Sequence, residues 1–145
     1  MKNHQTIEHL EKILANSYML FLKTHNYHWN VVGTNFKSLH ELFEEQYKDL
    51  FGAIDEIAER IRALGSKVEA SFENFQKLSK FKSANKDLEA KMMIRELISD
   101  NEILVKDLKI AVKVSEAEDD DASADLLIKR IQIHEKAIWI LSSMQ

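Results

Sequence analysis

The chain has 145 residues, with 20 Lys and Arg against 24 Asp and Glu, a formal net charge of −4, 45% hydrophobic residues, three glycines and neither proline nor cysteine. That length predicts a single domain spanning 1–145. The missing cysteines exclude disulfides, thiolate zinc sites and iron–sulfur clusters, and the negative balance argues against a body that grips nucleic acid by bulk charge.

So few helix breakers among so much Leu, Ile, Glu and Lys predict an all-α fold. The opening "MKNHQTIEHLEK" lacks the apolar core of a secretory signal. No apolar run reaches the length of a membrane span. The expectation is a soluble, cytoplasmic protein.

The first helix is expected from Thr6 to Val31, on the recurrence of Ile7, Leu10, Ile13, Leu14, Leu20, Phe21, Tyr27 and Val31. Gly33-Thr34-Asn35 breaks it, and Thr34 or Asn35 is placed to cap the next helix. The second helix, Asn35 to Leu64, has a core stripe of Leu39, Leu42, Phe43, Leu50, Ile54, Ile57, Ile61 and Leu64, with Gly65 placed to end it. Periodicity then weakens from Ser66 to Lys86, where "ASFENFQKLSKF" has room for one short helix. A third long helix is expected from Asp87 to Val114, carrying Leu88, Met92, Ile94, Leu97, Ile98, Leu104, Leu108 and Val112. The acidic run Glu116–Asp121 follows. The last helix, Ala122 to Ser143, carries Leu126, Leu127, Ile131, Ile133, Ile138, Trp139 and Leu141. Four long helices with a lengthy link between the second and third predict a four-helix bundle of ferritin-like arrangement, because a link of that length can cross over the bundle.

The second helix carries His40 and Glu44, then Asp55 and Glu59. Each pair is spaced i,i+4, so its members lie one turn apart on one face. All four fall within an arc of about 100°, flanking the core stripe. The two pairs are separated by roughly 22 Å of helix rise, while metal–ligand bonds are about 2 Å. One metal therefore cannot touch both pairs of one chain. Two copies crossing antiparallel about a two-fold axis between Asp49 and Leu50 bring His40 opposite Glu59 and Glu44 opposite Asp55, twice over. Tyr47 and Phe51 lie on the same stripe, near that axis. An antiparallel first and second helix also bring His28, in "HNYHWN", beside His40 and Glu44. Two imidazoles and three carboxylates suit divalent iron, and also zinc or manganese. Taken singly, each i,i+4 pair reads better as a solvated surface pair, and His28 as a packed ring; the complementary spacing favours the metal reading for the set. None of the six histidines has a Glu three residues before it, which argues against an ordinary site inside one bundle.

At these residues the chain resembles the Dps family, the miniferritins named as DNA-binding proteins from starved cells. The resemblance runs through "THNYHWNVVGTNFKSLHELFEEQYKDLFGAIDEIAERIRALG" and resumes at "DDDASADLLIKRIQIHEKAIW". It implies a dinuclear ferroxidase centre with His28, His40 and Glu44 from one chain and Asp55 and Glu59 from the other. The position of Glu44 is usually Asp in the family, so the longer side chain here puts direct ligation in question. The resemblance further implies a hollow dodecamer storing ferric mineral, Fe²⁺ as substrate, and hydrogen peroxide as preferred oxidant over dioxygen. Trp29 resembles the family tryptophan beside the centre, a radical trap or an interface packing residue. His25 matches no ligand position and reads as structural or surface. Acidic side chains line three-fold pores in the family, which singles out Asp121 and Asp125 as an iron entrance; the alternative for this run is helix capping. Family members that bind DNA often carry a Lys/Arg-rich extension, and here Lys2 and His4 alone precede the first helix. DNA binding is expected to be weak or absent. The alternative is a DNA-compacting Dps protein whose iron oxidation is secondary.

Overall fold

The computed structural model describes residues 2–145. Its elements are α1 (His4–Asn30), α2 (Phe36–Ala63), the short α3 (Phe72–Leu78), α4 (Ala90–Ala117) and α5 (Asp121–Ser143). Among the described residues there is no strand and no helix long and apolar enough to cross a membrane.

The direction of each helix follows from its side-chain contacts. Along α1 and α4 the pairs run Thr6 with Glu118, Lys23 with Asp100 and Tyr27 with Glu96, so these two helices are antiparallel. Rings of His28 and His40, and of Phe21 and Phe51, set α1 antiparallel to α2. Arg60 with Asp120 and Arg130 with Asp49 set α2 antiparallel to α5. Hence α2 and α4 point the same way. Only a link that travels the length of the bundle joins them, which is the ferritin-like crossover expected from the long weak segment. Asn16 anchors that link: its buried Oδ1 accepts from Ser79 Oγ and from the Lys80 N–H. Phe75 and Phe81 bury their rings in the core on either side of it.

Helix ends explain where the observed bounds differ from those read off the sequence. The Ser66 N–H reaches Ile61 O and the Gly65 N–H reaches Arg62 O, a Schellman stop with Gly65 at φ +98. Asn35 stands at the N-cap of α2 but its side chain makes no cap bond. The third long helix starts at Ala90 instead of Asp87, because Asn85 Oδ1 and O hold Asp87 and Leu88 in a turn. It then runs three residues past Val114, into the acidic run. A second Schellman stop ends it, with Asp119 in the left-handed conformation at φ +57 and the Asp120 N–H on Ser115 O. Glu118 turns the other way and accepts from the Gln5 and Thr6 N–H groups and from Thr6 Oγ1. The start of α1, which has no side-chain cap of its own, is therefore capped from the far end of α4. Those hydrogen bonds hold the Glu118 carboxyl below the ordinary range.

The core is a column of Leu10, Leu20, Phe43, Ile57, Leu97, Leu104, Leu108 and Leu127, all essentially inaccessible. Two residues expected within it are outside. Met92 is 41% exposed and Trp139 65% exposed. On α4 the inward face carries Met93, Ile94 and Leu97, which rotates Met92 away; on α5 it carries Leu127, His134 and Leu141, which leaves Trp139 off the stripe.

The inward face of α5 also carries polar groups. His134 Nδ1–H donates to Asn101 Oδ1 at 2.8 Å, and Arg130 donates to His134 Nε2 at 3.0 Å. Arg130 in turn forks onto both oxygens of Asp49 on α2. The imidazole is therefore a neutral acceptor, and burial first, then the adjacent guanidinium, push its pKa down from 6.5 to about 3. Unfolding returns His134 to its ordinary value, so its contribution is complete above about pH 6.5 and is lost as pH falls toward 3, at about 1.4 kcal/mol per pH unit. Replacing His134 with Gln removes that contribution. Denaturant midpoints of the two proteins, measured from pH 7 to 4, are expected to converge as pH falls; curves that stay parallel would show that His134 is not held neutral.

Candidate metal centre

The chain enters and leaves the α1–α2 corner through His28 and His40. His28 Nδ1 lies 2.7 Å from His40 O, and His40 Nδ1 lies 2.7 Å from His28 O. A carbonyl oxygen only accepts, so both Nδ1 atoms carry the proton. With Nδ1 donating, Nε2 is the nitrogen left to face a metal. The rings stack at 3.8 Å with 14° between planes, and Phe36 stacks on the outer face of His40 at 5.0 Å. His28 is 6% exposed.

Glu44, one turn along α2, places Oε1 3.9 Å from His28 Nε2. Its other oxygen accepts from Lys48 Nζ at 3.1 Å. That ammonium, first by hydrogen bond and then by charge, holds the Glu44 carboxyl below the ordinary range. Lys48 has no place in the pattern of His, Asp and Glu, although its i,i+4 spacing from Glu44 is plain in the sequence. Asp55 and Glu59 stand exposed further along α2. Every influence on Glu59 raises its pKa: a hydrogen bond with Asp55 first, then the charge of Asp55, burial and the charge of Glu56. The pair is an uncompensated acidic patch.

The structure thus brings His28, His40 and Glu44 together and keeps Asp55 and Glu59 apart from them along the same unbroken helix. Among the described residues of one chain, no three or more His, Cys, Asp or Glu side chains converge closely enough to hold a metal ion. His28, His40 and Glu44 form a loose half-site, with Glu44 at the 3.9 Å edge of reach.

Around the half-site runs a set of rings. His25 is sandwiched between Trp29 at 3.7 Å and Tyr47 at 4.1 Å, and Tyr47 also meets His28 edge-on. Burial first, then His28, lowers the His25 pKa. This agrees with the structural reading of His25. Trp29 remains 60% exposed and Phe51 68% exposed. Of the acidic run, Asp120 is the capping residue: buried, it accepts from the Ser123 N–H and from Arg60. Asp121 and Asp125 are exposed, one turn apart at the start of α5, and remote in sequence from the histidines.

A family model described as ferritin-like domain matches residues 7–145. A curated relative named DNA protection during starvation protein 2, from Bacillus anthracis, is 38% identical and covers 96% of this chain and 95% of its own length. Among solved structures, a Dps protein from Bacillus brevis superposes with a TM-score of 0.95 at 35% identity, over 98% of this chain and 95% of that one. The Dps protein of Vibrio cholerae, described as a member of a broad superfamily of ferritin-like diiron-carboxylate proteins, superposes at 0.94 with 29% identity, over 99% and 90%.

Lys48 competes with any cation for Glu44. Replacing Lys48 with Gln is expected to tighten Zn²⁺ binding at low salt by roughly threefold to tenfold, since a competing positive charge beside the carboxylate is removed. Isothermal titration measures it. Weaker binding in the variant would mean that Lys48 holds Glu44 in its ligating position.

Proposed function

The chain belongs to the ferritin-like family, among its Dps proteins, and on that premise we propose that it is a ferroxidase and iron-storing miniferritin whose oxidation site is shared between two subunits. One observation carries the reading. The paired histidines, locked to each other's carbonyls with Nε2 free, lie on one rigid corner whose second helix also bears an acidic pair that they cannot reach. Two antiparallel copies of α2 complete the set, with His28, His40 and Glu44 of one chain facing Asp55 and Glu59 of the partner subunit.

The donor set fits iron. Two imidazole nitrogens and three carboxylates are a mixed N/O environment suited to Fe²⁺, and two adjacent acidic groups, each disfavouring the other's charge, favour a cation beside them. Iron is here the substrate. Two Fe²⁺ ions supply the two electrons that reduce one hydrogen peroxide to water, with dioxygen as the slower oxidant. In this scheme His28 and His40 hold the ions in a fixed orientation, Asp55 and Glu59 neutralise the growing ferric charge, and Glu44 moves from Lys48 to the metal. Trp29, stacked on His25 at the rim, is placed to intercept stray radicals. Ferric product collects as mineral inside a dodecameric cage in the cytoplasm, and Asp121 and Asp125 line its three-fold entrance. The names of relatives speak of DNA protection. For this chain, with a net charge of −4, we read protection as chemical, through removal of Fe²⁺ and peroxide together.

Subunit mixing tests the shared site. One chain carries His28→Ala with His40→Ala; the other carries Asp55→Asn with Glu59→Gln. Each alone is expected to lose fast ferrous oxidation while remaining assembled. Unfolded and reassembled together, random pairing makes about half the dimers mixed, each with one intact centre, so about a quarter of the native rate returns. A mixture no faster than its parents would overturn the proposal.

A further inference from the structure

Gly52 stands in the middle of α2, exposed to solvent, and is not among the glycines with positive φ. A Cβ placed on it would meet nothing within 4 Å. No turn or close contact within the protomer calls for glycine there. Yet glycine inside a helix is destabilising relative to alanine. Gly52 lines a groove between α2 and α5 with Lys48, Ala53 and Arg130; a close approach to the backbone from outside the protomer is the other way to offset that cost.

The position is informative. Gly52 lies one turn after Lys48 and one turn before Asp55, on the side of α2 that carries Glu44, Asp55 and Glu59. If two α2 helices cross between Asp49 and Leu50, Gly52 is only about 4 Å along the helix from the crossing point. Beside it Phe51 is 68% exposed, an apolar surface continuous with the same face. Interaxial distances between packed helices run from about 8 to 10 Å according to the side chains at the contact, and glycine permits the short end.

We propose that Gly52 is a spacer for the shared centre. Its missing side chain lets the α2 helices of two copies of this chain approach closely, so that the imidazoles of one chain and Asp55 and Glu59 of the partner subunit reach the same metal ions. The occupant of the surface over Gly52 is the middle of the second copy's α2. Gly52 touches no metal; it is a positioning residue. The inference rests on the two-fold reading of the metal centre and adds to it a length that the helix pair must keep.

The test is a size series at one position, Gly52→Ala and Gly52→Leu, in the full chain. Helix content by circular dichroism is expected to hold, because both substitutions raise helix propensity. Zn²⁺ affinity and the ferrous oxidation rate are expected to fall in the order Gly, Ala, Leu. A misplacement of ~1 Å costs up to about 10²-fold in rate, so the Leu chain is expected to slow by roughly 10- to 100-fold. A purely structural role would not grade metal affinity with side-chain size while leaving the helices intact. If the Leu chain fails to assemble, the Ala chain decides. Native Zn²⁺ affinity and rate in the variants would overturn the proposal, and would point instead to the neighbouring α2–α5 groove, lined by Lys48, Ala53, Lys129 and Arg130, as the reason for the glycine. Subunit mixing in the Gly52 background separates the two failures. Restored activity there with unchanged Gly52 variants removes the spacer alone; no restoration removes the shared centre as well.

Discussion

Reach is the constraint on which the rest depends. A metal–ligand bond is about 2 Å long, and α2 is an unbroken helix along which the histidine end and the acidic end stand roughly 22 Å apart. Nothing in the protomer lets the helix fold back. Gly65 stops it only after Glu59 has passed. Asp49 is clamped by Arg130 and Arg60 by Asp120, so both its middle and its far end are tied to α5. A helix held this firmly cannot bring its own two halves together, and on the proposed reading a second helix supplies what the first lacks.

The same clamps show how charge is used in this bundle. Lys23 is buried against Asp100, and Tyr27 donates to Glu96, along the α1–α4 seam. Arg130, His134 and Asn101 form a chain from α2 through α5 to α4. These groups are costly to bury unless each finds a partner, and together they define the register of helices whose apolar faces alone would slide. The outer face of α1 and α2 is different. Tyr18, Leu22, Trp29 and Phe51 remain exposed there. On the proposed reading, a partner that crosses at the middle of α2 also covers Phe51.

The helices and the crossover were legible because they depend on period and on breakers: the leucine and isoleucine spacing, the absence of proline, and Gly33 and Gly65. The nearness of His28 to His40 was legible as well, since a short corner forces antiparallel neighbours. The reciprocal carbonyl bonds that set both tautomers were not, because they depend on backbone oxygens whose positions no spacing rule reports. Glu118 was hidden for a similar reason: a cap supplied across 112 residues has no local pattern. Trp139 and Met92 misled because hydrophobicity names a residue type and not the face it occupies. Asp120 shows the opposite case. Within an undifferentiated acidic run, the residue that caps α5 and binds Arg60 is distinguished only by which carboxylate the Schellman stop turns inward.

A crystal structure of the assembled protein soaked in ferrous salt without oxygen tests the central claim most directly. The account predicts metal density at each pair of two-fold related α2 helices, bonded to Nε2 of His28 and His40 and, from the partner subunit, to Asp55 and Glu59. Metal bound to the histidines with all its other ligands from the same chain, and the acidic pair facing elsewhere, would contradict it.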